Sequence, residues 1–325
     1  MTQAESGITR AESGITRAES GTEDFRTVGR RLSNWGRWGS ADERGTVNLI
    51  TPELLVAAAR LVTKGAVFNL GIPLDDNGPQ CGNGRTNPVH LMSETGAEQV
   101  FPGGFRYADD YIFMGLQSST QWDALAHVYY DEQYYNGFPA AGTTVKGAAR
   151  CTIDRQAAGI AGRGVLLDIA GLHGVDWLET GAVITPEDLD AACQAQNVSV
   201  GPGDILLFRT GWRRKFLTDG DAAAFMAGEP GLGQRCCEWL RERDVAAVGS
   251  DNWAIEVLPS ESDDALLSVH MILIRDMGMS LCEILDLERL TEDCRADGSW
   301  EFLFVAPPLP ISRAVGSPVN PLALK

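Results

Sequence analysis

Two helix-start signatures of identical form punctuate this chain and constrain its architecture more than any other feature. Thr51-Pro52-Glu53 and Thr185-Pro186-Glu187 each supply an N-cap hydroxyl, a proline at the first helical position and an early acid. The first opens onto LLVAAARLV, and the second predicts a helix through about Gln196. Between and after them lie short, β-rich apolar runs: Val67 to Leu70, Tyr111 to Met114, Val165 to Ile169, Ile205 to Phe208, Val245 to Val248 and Phe302 to Val305. A further amphipathic helix fits Leu232, Cys236, Trp239 and Leu240, spaced i, i+4, i+7, i+8. Strands and helices that interleave without a linker-like gap predict one α/β domain with a mixed central sheet.

The N-terminus departs from this pattern. It reads AESGITR twice, from Ala4 to Arg17, with a third start at Ala18. So short a polar repeat cannot bury a face, which predicts a disordered or extended arm over residues 1–30. Asp and Glu number 44 against 27 Lys and Arg, a net charge of −17 with no basic run. Such a chain is a poor partner for nucleic acid or an anionic membrane. No apolar run reaches the roughly 18 residues that span a bilayer, and no signal-peptide stretch is evident, so a soluble cytoplasmic protein is expected. The seven cysteines are an odd set without CxxC spacing, which fits neither a disulfide framework nor a zinc knuckle and predicts that most are buried reduced thiols.

Chemistry has few places to reside, because only His90, His127, His173 and His270 carry imidazole. His127 ends the segment Gln117-Ser-Ser-Thr-Gln121-Trp-Asp123-Ala-Leu-Ala-His127, which follows the apolar run YIFMG. In an extended chain Gln117, Ser119, Gln121 and Asp123 project from one face at period two, and Trp122 points the other way, into the core. A wholly polar row beside a buried strand has to be solvated, hydrogen-bonded or bound to something, since burying it unpaired costs a few kcal/mol per group. A hydrogen-bonded loop network and a binding site both satisfy that demand.

The segment resembles the motif H-x-G-T-H-x-D-x-x-x-H of the cyclase-like hydrolase superfamily, which includes kynurenine formamidase and isatin hydrolase. Gln117 and Gln121 stand where the family has its two liganding histidines, Ser119 stands at the glycine, and Thr120, Asp123 and His127 are retained. Further stretches are similar to a long bacterial branch of that family: SNWGRWGSADERGTVNLIT (33 to 51), GRTNPVH (84 to 90), GVLLDI (164 to 169), GDILLFRTGW (203 to 212) and GSPVNPLAL (316 to 324). The resemblance implies a catalytic domain over residues 31–325 with a mixed or barrel-like β core flanked by helices. It also implies a homo-dimer or homo-tetramer acting on a small molecule.

By the same resemblance, Gln117, Gln121 and Asp123 would hold a divalent metal, and His127 would be the acid or base. His270 and Glu283 would join as ligands or proton carriers. Neutral amide oxygens are weaker ligands for manganese or zinc than imidazole nitrogens. Two readings follow from that substitution. Either a metal is held differently, or Asp123 and His127 transfer protons without one in a cyclase, dehydratase or isomerase; no organic cofactor is expected in either case. Gln117, Gln121, Asn252, Trp253 and His90 are the expected substrate contacts. His173 reads as a loop residue, the Cys236-Cys237 pair as packing, and GEPGLG (228 to 233) lacks the lysine of a phosphate loop. The expected reaction is hydrolysis of a small cyclic or aromatic amide, lactam or lactone.

Overall fold

The structure, a computed structural model, describes residues 23–82 and 84–325. Both signatures open helices. Thr51 Oγ1 accepts the N–H of Leu54 at 3.3 Å and begins Pro52–Ala59. Thr185 and Asp188 cap each other reciprocally and begin Pro186–Gln196.

In chain order the strands are β1 (Val67–Asn69), β2 (Val89–Glu94), β3 (Asp109–Phe113), β4 (Gln121–Asp123), β5 (Ala161–Asp168), β6 (Val183–Ile184) and β7 (Ile205–Arg209). They continue with β8 (Gly231–Leu232), β9 (Ala247–Ser250), β10 (Ser280–Glu283), β11 (Glu301–Val305), β12 (Gly316–Pro318) and β13 (Leu322–Leu324). Nine of them form one mixed sheet in the order β1-β13-β11-β5-β7-β9-β10-β4-β12, curled into a half-barrel and flanked by helices. The central run β5-β7-β9-β10 is parallel, and the strands on either side join it antiparallel.

Parallel strands covered on both faces are apolar throughout rather than alternating, and every residue of β7 is buried. Its side chains still divide at period two. Leu206 and Phe208 join Val248 and Leu281 in one core, while Leu207 joins Ala247, Cys282 and Trp122 in the other.

Three expectations change. Residues 25–30, placed within the foreseen arm of residues 1–30, are helical: Asp24 caps a helix Phe25–Leu32, whose Phe25, Val28 and Leu32 sit in the main core. That helix crosses the π-helical turn Met271–Met277, and a Cβ on Gly29 would lie 2.0 Å from Asp276 Oδ2, so the crossing requires glycine. The AESGITR repeats lie outside the described residues. The run Tyr111 to Met114 does form a strand, but β3 pairs only with β2 in a separate hairpin, leaving Tyr111 68% and Phe113 73% exposed. Leu232 belongs to β8, and the helix expected there is Cys236–Glu242, with Cys236, Cys237, Trp239 and Leu240 buried. No helix among the described residues is long and apolar enough to cross a membrane.

Candidate active site

Strand β4 lies between β10 and β12, and its register builds the site. Gln121 pairs with Glu283 and Trp122 with Cys282 across β10, while Asp123 pairs with Gly316 across β12. Residues directly opposite in an antiparallel pair share a face, so Gln121, Asp123 and Glu283 emerge together. Trp122 and Cys282 go to the other side, where Trp122 Nε1 donates to the Ala306 carbonyl at 2.9 Å. The parity expected for Trp122 holds. The extended polar row does not, because a turn from Gly115 to Ser118, closed by Ser118 N–H to the Gly115 carbonyl at 3.1 Å, breaks it before β4. Gln117 therefore reaches the site from that turn, with its Nε2 pressed so close to Gly316 that a Cβ there would lie 2.3 Å away.

His270 arrives from the helical turn Ser268–His270. Its Nδ1 pairs with Glu256 Oε1 at 2.7 Å, and Glu256 also accepts the backbone N–H groups of Val269 at 3.0 Å and His270 at 2.8 Å. The other ring nitrogen, Nε2, lies 3.0 Å from Glu283 Oε1 and 4.0 Å from Asp123 Oδ2. Gln121 Nε2 donates to the second Glu283 oxygen at 2.5 Å. His127 stands at the rim, with its side chain 20% exposed and Nε2 3.7 Å from Asp123 Oδ1, just outside hydrogen-bond range.

The electrostatics follow from this crowding. Burial pushes the Asp123 carboxyl up to about 6; His127 opposes the shift and Glu283 adds to it. Burial also lowers His127 below its ordinary value, which keeps the imidazole neutral and able to accept a proton. At His270 burial opposes the charged form, but Glu256 and Glu283 outweigh it and hold the group well above its ordinary value.

Polar atoms without a hydrogen-bond partner among the described residues collect here: both Asp123 oxygens, Gln121 Oε1, Gln117 Nε2, Ser119 Oγ and Trp253 Nε1. Each such buried group costs about 1–3 kcal/mol when left unmade, so the two Asp123 oxygens and Gln121 Oε1 call for a partner. Asp123, His270 and Glu283 each offer one ligand atom, and these atoms lie within 4.8 Å of one another. Two carboxylate oxygens and an imidazole nitrogen, with the unpaired Gln121 Oε1 beside them, suit a divalent cation such as manganese or zinc.

The foreseen residues separate accordingly. Asp123, His270, Glu283, Gln121 and His127 come together, and Gln117 joins them through the Gly115–Ser118 turn. Asn252 holds its own loop, donating to the Pro230 carbonyl at 2.8 Å and accepting from Ile255 N–H at 3.0 Å. His90 is on the exposed hairpin, with its Nε2 2.7 Å from Asp110. Trp253 is half-buried, and the Arg85 guanidinium lies 5.7 Å from its ring centroid.

Three residues were not foreseen. Glu256 is nearly inaccessible within an apolar run, and an acid between Ile255 and Val257 was the available signal. Glu229, 1% exposed, accepts the N–H groups of Trp253 at 2.6 Å and Ala254 at 2.7 Å and so anchors their loop. Arg85 donates to the Gln117 carbonyl at 3.0 Å, and it sits in GRTNPVH, a family-like stretch in which only the histidine was taken as a site residue.

The curled sheet of mixed strands carries this acid–imidazole cluster, and the chain belongs to the cyclase-like hydrolase superfamily that the motif resembles. More narrowly, the chain belongs to the family described as "Putative cyclase", whose profile matches residues 68–257. It is 25% identical over 246 residues to an isatin hydrolase of Roseibium aggregatum, covering 73% of this chain and 80% of that protein. Among solved structures it is similar to one described as a novel cyclase, at 43% identity and a TM-score of 0.85, over 91% of this chain and 99% of that one. An isatin hydrolase bound to the product analogue thioisatinate shares the fold, at 21% identity and a TM-score of 0.59, over 84% of this chain and 97% of that one.

Proposed function

We propose that the protein hydrolyses a small cyclic or aromatic amide, lactam or lactone, with Asp123, His270 and Glu283 as the ligand set for a divalent metal and His127 as the general base. The carrying observation is the convergence of those three donors around unpaired Asp123 oxygens, in a chain whose relatives include an isatin hydrolase. This set keeps Asp123 from the ligands that the resemblance implies and adds His270 and Glu283, with Gln121 Oε1 beside them.

When bound, the metal supplies Lewis-acid polarisation of the scissile carbonyl and lowers the pKa of a water. The chain's own residues do the rest. Glu256 fixes the His270 ring so that Nε2 faces Glu283 and Asp123. Gln121 orients Glu283 through its amide N–H. His127, neutral and at the rim, takes a proton at Nε2 from the attacking water and returns it to the leaving nitrogen or oxygen.

A specific observation supports a second reading. Both nitrogens of His270 are engaged by carboxylates, an arrangement that stabilises an imidazolium where a cation would otherwise sit. Asp123 and His127 would then transfer protons in a metal-independent cyclisation, dehydration or isomerisation. Metal analysis of protein purified without chelator, with turnover on lactams, lactones and aryl formamides before and after chelation, separates the two. Turnover that survives complete metal removal would overturn the metal-assisted reading. The homo-oligomer implied by the resemblance and a cytoplasmic location are carried forward as proposals, the first checked by light scattering and the second by fractionation.

A further inference from the structure

The site has a second pole. On the side of Asp123 and His127 stands a pair of donors, the Arg85 guanidinium and the unpaired Nε2 of Gln117. Arg85 is tied to the site by its Nη1 bond to the Gln117 carbonyl and lies 5.7 Å from the centroid of the Trp253 indole, whose own Nε1 is buried and unpaired. No carboxylate forms an ion pair with Arg85 among the described residues, although the chain carries 44 acids against 27 bases. Its charge still reaches the catalytic groups. At Asp123, where burial is the dominant influence, Arg85 favours the ionised form, and at His127 it adds to burial in opposing protonation.

The pairing is chemically specific. A guanidinium offers a planar fork of donors matched to a carboxylate, and the half-buried indole that it overlies sets an aromatic surface at the same place. We propose that Arg85 and Trp253 form a subsite for an aromatic carboxylate, so that the molecule turned over carries, or acquires on ring opening, an anionic group next to its aryl ring. This deepens the hydrolase reading and rests on it only for the reaction, not for the binding.

Binding is therefore the test, with benzoate as the probe and benzamide as its neutral counterpart. Both are titrated by calorimetry against chelated protein, so that a bound metal cannot capture the carboxylate. Benzoate should bind at least about tenfold more tightly than benzamide, the scale of one charge-assisted hydrogen bond, and the preference should weaken with added salt. Arg85→Met and Arg85→Gln should abolish the preference at unchanged near-ultraviolet circular dichroism, and Arg85→Lys should retain part of it. Equal affinities for the two probes, absence of benzoate binding, or a preference that survives both neutral substitutions would each overturn the proposal. Failure on the lactam and formamide panel together with an Arg85-dependent benzoate preference would overturn the hydrolase reading and leave this subsite standing.

Discussion

Glu256 holds His270 at two points, pairing with Nδ1 at 2.7 Å and accepting the backbone N–H at 2.8 Å through the same Oε1 atom. A carboxylate in that position sets both the tautomer and the orientation of the ring, because a neutral imidazole that donates from Nδ1 must present a lone pair at Nε2. Glu256→Gln keeps the shape and one acceptor but places an amide N–H where Val269 now donates. It should weaken binding of manganese or zinc by about 10- to 100-fold with a smaller loss of fold stability. Calorimetric titration of the apo variant with each metal checks this, and wild-type affinity would remove Glu256 from the support of the site.

His127 is more exposed than Asp123, His270 and Glu283 but still largely buried, and no side-chain hydrogen bond ties it to the fold among the described residues. His127→Ala should cut turnover by about two to four orders of magnitude, the usual scale for a lost general base, and leave the melting temperature nearly unchanged. The pH profile adds a second readout. A base must be deprotonated to act, and burial depresses this imidazole below its ordinary 6.5. The wild-type rate should fall only as pH drops beneath that value, and the variant's residual rate should lack that acid limb. An acid limb that persists in His127→Ala would assign the titration to another group.

Asp123 gives a prediction about stability with a definite sign. Its folded carboxyl is raised to about 6 from an ordinary 3.8, chiefly by burial. Between those values the folded chain holds a proton that the unfolded chain has lost. In metal-free protein, stability from this group therefore falls as pH rises through that window, reaching a full penalty on the order of 2 to 3 kcal/mol above about pH 6. Asp123→Asn lacks the charge, so in chelated protein it should melt higher than wild type at pH 7.5, with the difference shrinking towards pH 4. Saturating metal should reverse the order by stabilising only the wild type. A difference that does not change with pH would show that the carboxylate is not destabilised by burial.

The signals readable in the sequence were local ones. Thr51, Pro52, Thr185 and Pro186 announced their helices because caps act within one turn, and period two placed Trp122 opposite Gln121 and Asp123. The same period failed at Gln117, where a turn no pattern revealed bends the chain. Strands β4 and β10 run only Gln121–Asp123 and Ser280–Glu283, too short to show an alternation; they exist because they pair across more than 150 positions of chain. The bond from Glu256 to His270 and the approach of Arg85 to Gln117 arise from tertiary contact. Neither leaves a periodic trace. Tyr111 and Phe113 show the converse, since apolar residues declare a strand without declaring what covers it.

The glutamines decide between the two catalytic readings. Gln121 faces Glu283 across the ladder, spends its Nε2 on that carboxylate and leaves Oε1 unpaired, while Gln117 keeps Nε2 unpaired against Gly316. If the cluster holds a metal, Gln117→His/Gln121→His replaces weak amide donors by imidazole nitrogens and releases the Glu283 oxygen that Gln121 now occupies. Affinity for zinc or manganese should then rise by on the order of tenfold or more, about 1.4 kcal/mol. If the amides instead hydrogen-bond the substrate, the same change should cost turnover even with metal supplied, because a site built around those bonds is left with unpaired groups. Metal content and turnover of the double variant are measured beside wild type. A fully active, metal-free wild type together with an inactive, metal-loaded variant would defeat the metal-assisted mechanism and leave Asp123 and His127 as a proton-transfer pair. A metal-bearing wild type whose activity disappears on chelation and returns with manganese or zinc would defeat the alternative, since a pair that works alone has no need of the ion.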